Sequence, residues 1–424
     1  MRFFADLHIH SRYSRATSPA MSLESLWRWA QMKGITVMGT GDFTHPKWLQ
    51  ELKEKLYVYD NKLFKLNDNY KREEVLSSCA ADVFFVPSAE ISCIYSKKGK
   101  VRKVHSIILV PDIPAAEKIN TVLSRIGNLS ADGRPILGLD AKELLRIVID
   151  NCPEAMFIPA HAWTPHFSVL GANSGFDSLE ECFDELTPHI HAIETGLSSD
   201  PMMNWRLSAL DGITLISNSD AHSPAKLGRE ANILDLESIS YQSLSEAIKT
   251  KKGFIGTIEF FPEEGKYHYD GHRACGVNLS PEETLHHDFL CPVCGKSVTV
   301  GVMHRVGKLA DRPTGFKLPN APPFYSLIPL SEILSEVMKV GVNSKAVGKE
   351  YLRLLERIGN EFTILMDTPL DDIEREGSVL LREAISRMRT GNVHIVPGYD
   401  GEYGKVKIFE EVESKEIKGQ TRLF

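Results

Sequence analysis

Short apolar runs recur along the first ~260 residues, with stretches of helical spacing between them. Residues 2–7 form the first run. Ser22 can cap a helix, because Leu23, Leu26, Trp27 and Ala30 follow at helical intervals. Gly34 can end that helix, and Ile35–Gly39 then reads as a buried strand. Further apolar runs fall at 82–87, 104–110, 156–159, 190–193 and 213–217, with helical stretches such as 142–150 and 243–250 between them. This alternation predicts an α/β protein with a parallel sheet, either a barrel or doubly wound. A break follows at 261–266, where Pro262, Glu263, Glu264 and Gly265 read as a linker, and a proline-rich break follows at 313–323. Beyond it, 330–340, 345–357 and 371–389 read as helices and 405–409 as a short strand.

The polar residues beside the apolar runs carry the chemistry. The first run leads into Asp6-Leu7-His8-Ile9-His10 and the second into Gly39-Thr40-Gly41-Asp42, with His45 three residues on. Others reach Glu90, His105, His161, Glu194 and the segment Asp220-Ala221-His222. Except for His105, each lies at the C-terminal end of its run. In a barrel of parallel strands those ends converge on one face, where active sites sit. Imidazoles and carboxylates gathered there would repel or lie unpaired unless cations held them. Mixed nitrogen and oxygen ligands suit zinc, manganese or iron. His8 and His10, two apart on a strand, point the same way, as do Asp220 and His222. The set is too large for one ion and fits two or three. Closely spaced ions lower the pKa of a bridging water and stabilise both oxygens of an in-line phosphoryl displacement. The expected chemistry is hydrolysis of a phosphate ester.

Composition narrows the alternatives. With 424 residues, 42% apolar and 25% charged, the chain is an ordinary globular one rather than a disordered or disulfide-stapled one. A net charge of −7 argues against a general nucleic-acid coat. The early charge and histidine at the N-terminus do not fit a secretory signal, so a cytoplasmic protein is expected. Five cations do cluster locally, at Lys97, Lys98, Lys100, Arg102 and Lys103, and phosphate contact is one use for them. Seven cysteines form no disulfide framework, but His272-Arg273-Ala274-Cys275 and Cys291-Pro292-Val293-Cys294 pair as knuckles for a structural zinc. Cys291, Cys294 and Cys275 are the firm ligands, and His272 is preferred by spacing over His268, His286 and His287.

The Asp6–His10 opening, Ser88-Ala89-Glu90, Pro159-Ala160-His161 and Ser219-Asp220-Ala221-His222 resemble the polymerase and histidinol phosphatase (PHP) family. The resemblance spans residues 1 to ~260. It implies a distorted seven-stranded (β/α) barrel around a trinuclear metal site, with His8, His10, Glu90, His105, His161, Asp220 and His222 as ligands. Two positions depart from the family pattern. Gly41-Asp42-Phe43 replaces a Thr-Asp-His, so that Asp42 or His45 fills the missing place. No clear counterpart of a further ligand lies in 11–19. Glu194 is a weaker ligand choice. His8, His10, Glu90, Asp220 and His222 form the expected catalytic set.

The order of parts implies four units: a metallo-hydrolase barrel at 1–262, a structural zinc module at 263–312, a mainly helical C-terminal domain at 325–409, and a flexible tail at 410–424. That order resembles DNA repair endonucleases of the same family. The resemblance implies nicking on the 5′ side of uracil, hypoxanthine, xanthine or an abasic site, with zinc, manganese or magnesium as the active ions. Chemistry on a lesion requires taking the base out of the stack. Trp163, Phe167 and Asn173, in the loop after His161, could receive it. Gln420, Leu423 and Phe424 resemble the tail peptide that docks archaeal DNA-processing enzymes on the sliding clamp. The alternative readings are a small-molecule phosphatase of the same family and a non-catalytic binding module.

Overall fold

The structure is a computed structural model and describes residues 1–60, 63–410 and 413. The chain is a mixed α/β protein with a helical C-terminal region. Its strands are β1 (Arg2–Asp6), β2 (Ile35–Gly39), β3 (Leu56–Tyr59), β4 (Leu63–Leu66), β5 (Phe84–Val86), β6 (Ser88–Lys97), β7 (Lys100–Leu109), β8 (Ile136–Leu137), β9 (Met156–Pro159), β10 (Ala192–Glu194), β11 (Thr214–Ile216), β12 (Ala231–Asp235), β13 (Phe254–Glu259), β14 (Asp270–His272), β15 (Val277–Leu279), β16 (Phe324–Ser326), β17 (His394–Val396) and β18 (Lys405–Lys407), the last of these within the strand expected at 405–409. One sheet runs β16-β13-β12-β1-β2-β5-β4-β3, a second β8-β6-β7-β9, and β10 pairs with β11.

The first helix, Leu23–Lys33, forms where its spacing and caps place it. Ser22 accepts from the Ser25 amide at its start, and Gly34 adopts φ 91° at its end. The expectation of a parallel sheet holds only for part of the molecule. β1, β2 and β5 are parallel, as are β10 and β11. β12, however, is antiparallel to β1 and β13, and β6 and β7 form a long antiparallel hairpin. The hairpin closes through Lys98 and Gly99, both at positive φ (53° and 75°), in register Lys97↔Lys100. A two-residue turn of this kind matches strand twist and leaves no room for a crossover helix. β7 is therefore the returning arm, and His105 in its middle lies level with the C-terminal end of β9, where Ser106 pairs with Pro159. This accounts for His105 being the exception to the sequence pattern.

A buried apolar cluster takes alternate residues of β1 (Phe3, Ala5) and then Leu7, and adds Val37, Val86, Ile107, Leu109, Ile158, Ala192, Ile216 and Leu234 from the surrounding strands. Burying these side chains fixes where the strands end, and with that the polar residues beyond them. No helix among the described residues is long and apolar enough to cross a membrane.

The helical region comprises Leu330–Met338, Lys345–Ile358, Leu370–Glu376 and Val379–Thr390. It is tied to the first helix by a buried ion pair, Lys33 Nζ to Glu361 Oε2 at 2.6 Å. Glu361 also accepts from the Leu330 amide at 3.0 Å and the Tyr351 hydroxyl at 2.7 Å, so its charge is well satisfied. Removing only the cation strands a buried carboxylate. Lys33→Ala is expected to cost about 3–5 kcal/mol of stability, measured from the denaturant midpoint. A change within about 0.5 kcal/mol would contradict this account of the docking.

Candidate active site

Two chain segments meet just past the strand ends. Ile9 and Ala221 form a parallel bridge, and the His10 amide donates to the Ala221 carbonyl at 3.1 Å. Their apolar side chains are buried, so the flanking residues His8, His10, Asp220 and His222 take the other face. The junction is locked from beneath. Asp6 accepts from the amides of Ser219 and Gly228, each at 3.0 Å, and the Asn218 side chain accepts from the Leu7 amide at 2.8 Å. Burial pushes the Asp6 carboxyl up to about 6. A side chain at Gly41 (φ 66°) would strike the Ile9 carbonyl, which explains a glycine at this close approach.

Glu90 stands at the centre. It lies on β6, and His105 is opposite Ser92 in the hairpin register. Residues two apart on a strand and the residue opposite share a face, so Glu90 and His105 project together. Glu90 Oε1 is 2.6 Å from His105 Nδ1 and 3.1 Å from His161 Nε2. Glu90 Oε2 is 3.1 Å from His10 Nε2 and 3.5 Å from His8 Nε2. Asp220 Oδ1 lies 3.1 Å from His10 Nε2 and 3.8 Å from His8 Nε2. Two ion-sized groups result, His8/His10/Glu90/Asp220 and Glu90/His105/His161, each with its ligand atoms within 4.8 Å of one another. Glu90 belongs to both.

A second layer of carboxylates orients the histidines. Glu194 contacts His8 Nδ1 through both oxygens at 3.1 Å, and it also accepts from the His161 amide at 2.8 Å. Asp42 lies 3.1 Å from His10 Nδ1 and accepts from the Ser11 amide and the Ser11 and Ser14 hydroxyls. With Nδ1 tied to a carboxylate, the Nε2 lone pair of each histidine is directed at the central cluster. Asp42 and Glu194, expected among the ligands, thus stand behind the histidines and outside both groups. His45 is also outside. It precedes the helix Pro46–Lys55 and stacks on Tyr13 with ring centroids 4.5 Å apart. His222 packs on the His10 ring at 4.6 Å, with Nδ1 2.9 Å from the Asp220 carbonyl. Asp42, His161 and Asp220 hold φ of 51°, 29° and 46°, left-handed values that cost energy in non-glycine residues.

The site suits cations. His8 Nε2, His10 Nε2 and Asp220 Oδ1 are buried and lack a hydrogen-bond partner, although Asp220 Oδ1 lies 3.8 Å from the first and 3.1 Å from the second. Burial alone would lower the His8 and His10 pKa values. The carboxylates Glu194 and Glu90 around His8, and Asp42 around His10, instead hold both well above the imidazole range. Burial dominates at His105 and pulls it down to about 4. Burial opposes ionisation of Glu90, but His105, Arg134 and His8 hold it well below the usual range. Such sites exchange protons for metal ions. Arg134, which carries no sequence signal of its role, places Nη1 3.0 Å from Glu90 Oε2.

A third group, His272, Cys275, Cys291 and Cys294, gathers its ligand atoms within 4.8 Å of one another at the β14–β15 hairpin and the loop that follows. Burial would raise the Cys291 thiol, but the amides of Cys294 and Val293 donate to it and hold it at about 7. The adjoining apolar cluster is only Leu279, Cys291 and Val298, too few to hold a module by burial alone. His268, His286 and His287 stand outside this group.

The residues expected to meet DNA divide into two sets. Lys98 and Lys100 are exposed on the hairpin. Lys97 instead pairs with Asp184 at 3.0 Å, and Arg102 donates to the Gly175 carbonyl above the Phe176 ring. Lys103 lies over Phe167, which packs on His105 at 4.7 Å. Trp163 is fully buried and donates to Asn204 at 2.8 Å, so it offers no face to a base. Asn173 is exposed and pairs with His166. Gln420, Leu423 and Phe424 lie outside the described residues.

Fold and cluster together define the class, a phosphodiester hydrolase. Residues 329–392 match the family described as the MJ0043 C-terminal domain. The MJ0043 protein of Methanocaldococcus jannaschii is 33% identical over 256 residues, 58% of this chain. This chain spans only 31% of that protein's length. The crystal structure of the lesion-specific endonuclease PfuEndoQ from Pyrococcus furiosus superposes with a TM-score of 0.84 at 31% identity, covering 97% of both chains. Endonuclease Q bound to a 27-mer duplex with an abasic lesion at its active site superposes with a TM-score of 0.82 at 30% identity, covering 97% of this chain and 98% of that one. The chain belongs to the endonuclease Q family.

If Asp42 and Glu194 direct the Nε2 lone pairs of His10 and His8, neutralising either should loosen the ion site without removing a ligand. Asp42→Asn and Glu194→Gln are each expected to weaken retention of divalent ions by about 10- to 100-fold, measured by competition with a chromophoric chelator. Retention equal to wild type in both would refute the orienting role.

Proposed function

We propose that this chain is a metal-dependent DNA repair endonuclease. It extrudes a deaminated base (uracil, hypoxanthine or xanthine) or an abasic nucleotide and hydrolyses the phosphodiester on its 5′ side. The observation that carries this reading is the pair of ion-sized groups sharing Glu90, on a chain that superposes over nearly its whole length on an endonuclease Q with an abasic lesion at its active site. The alternate apolar residues drawn from β1 through β12 support a distorted seven-stranded PHP barrel over residues 1–262. A zinc module at 263–312, a helical domain at 325–409 and a clamp-docking tail at 410–424 complete the proposed organisation.

Two or three divalent ions, zinc with manganese or magnesium as alternatives, would be held by His8, His10, Glu90, His105, His161 and Asp220, with His222, which lies outside both ion-sized groups, as the further ligand expected from the sequence. When bound, such ions activate water and neutralise charge on a reacting phosphate. The chain's own groups do the rest. Asp42 and Glu194 keep His10 and His8 in one tautomer and orientation. Arg134, beside Glu90, offers a guanidinium fork to a phosphate oxygen. His222 gives its Nδ1 proton to the Asp220 carbonyl, which leaves Nε2 as an acceptor at the rim. The His272/Cys275/Cys291/Cys294 group, with four ligands and no open position, holds its module together and takes no part in catalysis.

The test uses end-labelled duplexes bearing uracil, hypoxanthine or an abasic site, with manganese, magnesium or zinc supplied and the cut position mapped. A single nick on the 5′ side of the lesion is expected. Asp220→Asn should reduce the rate by more than the ~100-fold that loss of an outer-layer partner costs. Turnover of a soluble phosphomonoester with every lesion duplex left intact would overturn the reading.

A further inference from the structure

Two buried carboxylates, Glu230 and Glu259, take no part in the function proposed above. β12 and β13 pair antiparallel, with Ala231 opposite Ile258 and Asn232 opposite Thr257. One step further in the same register, Glu230 stands opposite Glu259. Side chains alternate along a strand, so both acids share the face of Asn232 and Thr257. Asn232 in turn lies opposite Ala5, a member of the apolar cluster that packs β1 against its neighbours, so this face is the inner one. Like charges directly opposite each other in a sheet repel. Here both side chains are fully buried, which raises the cost further.

No cation of the protein answers them. Neither Glu230 nor Glu259 enters an ion pair among the described residues. Arg229, next in the chain, is committed elsewhere, donating to the Ser219 carbonyl at 2.8 Å and the Asp220 carbonyl at 3.3 Å. Glu230 Oε1 accepts one long bond, from the Phe260 amide at 3.3 Å, and Glu230 Oε2 is buried with no partner. Glu259 is met only by hydroxyls. Thr257 donates to its Oε1 at 2.5 Å and Thr195 to its Oε2 at 2.9 Å. Glu194 and Asp200 add further negative charge nearby. Burial, reinforced by Glu259, pushes the Glu230 carboxyl well above its usual range, and burial pushes Glu259 up to about 8. A pair so disfavoured as bare anions exchanges its protons for a metal ion.

The donor set decides which ion. Carboxylates and hydroxyls surround the place, and neither an imidazole nor a thiol bonds to either acid among the described residues. Oxygen donors alone select hard cations over zinc or iron. Two carboxylates match the charge of one divalent ion, and the unpartnered Oε2 of Glu230 is the atom left to meet it.

We propose that Glu230 and Glu259, with the hydroxyls of Thr195 and Thr257, form a separate site for one hard divalent cation of the calcium or magnesium type. It shares no ligand with either ion-sized group around Glu90. The ion fastens β12 and β13 to the segment that follows β10, and it neutralises charge behind Glu194, the residue that orients His8. The proposal stands independently of the endonuclease reading.

The experiment saturates the full-length protein with zinc at the Glu90 cluster and the cysteine group, incubates it with CaCl2 or MgCl2, and desalts it. Elemental analysis should find one equivalent of calcium or magnesium per chain beyond the zinc. The thermal midpoint, followed by circular dichroism, should rise by about 5 °C at saturating cation. Glu230→Gln/Glu259→Gln keeps the shape and removes both charges. It should lose the extra equivalent and the thermal shift while keeping its zinc. Glu230→Gln alone should weaken retention by about 10-fold or more, because ligand charge sets affinity for hard cations. Asp220→Asn, within the Glu90 cluster, should retain the extra equivalent. A wild-type chain that holds neither calcium nor magnesium beyond its zinc overturns the proposal, as does an extra equivalent that survives in the double variant. A midpoint indifferent to both cations that falls as the pH rises from the ordinary carboxyl range towards about 8 also overturns it, because protons rather than a metal ion would then neutralise the pair.

Discussion

The structure depends on the crowding of charge around Glu90. Its two oxygens lie within 3.5 Å of ring nitrogens from four histidines, and a second carboxylate, Asp220, faces two of the same rings. Burying such groups in apolar surroundings is unfavourable unless each charge is matched. Arg134 supplies one positive charge, and His8 and His10, held well above the imidazole range, supply the others against the carboxylates. The surrounding architecture commits to holding this arrangement. Ile9 and Ala221 form a bridge, Asp6 and Asn218 pin the backbone beneath it, and three residues of the site adopt left-handed backbone. Backbone strain of this kind persists only where the surroundings over-determine it. The fold therefore acts as a device for bringing like and unlike charges within 4.8 Å of one another, in groups that could hold a cation.

The hairpin of β6 and β7 contributes in a way that parallel strands could not. A parallel strand delivers residues to the active face only at its C-terminal end. The hairpin delivers Glu90 from its outgoing arm and His105 from its returning arm, in adjacent register. One short turn thereby places two ligand-type residues on one face. The same hairpin carries Lys98 and Lys100 to its tip, so the basic run and the acidic hub are consequences of one local structure.

Much of this arrangement was legible in the sequence where it depended on period and spacing. Apolar runs marked β1, β2, β9, β10 and β11, because strands buried on both faces read as continuous hydrophobic stretches. The two-residue spacing of His8 and His10 placed them on one face, and paired knuckles located the cysteine group, because a metal loop is a local feature. Legibility failed where a residue's role is set by what lies behind it. Asp42 and Glu194 sit beside strand ends just as the cluster residues do, and only three-dimensional depth separates an ion-facing carboxylate from one that holds a histidine. β6 escaped notice because Ser88, Glu90 and Ser92 interrupt its apolar pattern. Trp163 looked like a stacking surface in a loop, yet it is buried beneath it. Arg134 belongs to no pattern at all.

The two metal-type groups differ in a manner that separates structural from chemical use. The His272/Cys275/Cys291/Cys294 group draws all its ligands from one short stretch and closes on itself. Losing its ion would release a small module whose own apolar core is slight. The Glu90 groups draw theirs from strands up to 212 positions apart, counting from His8 to Asp220, and these strands are packed independently of any ion. That scaffold has its own buried apolar cluster to hold it folded. A small soluble phosphate ester would need only this second arrangement.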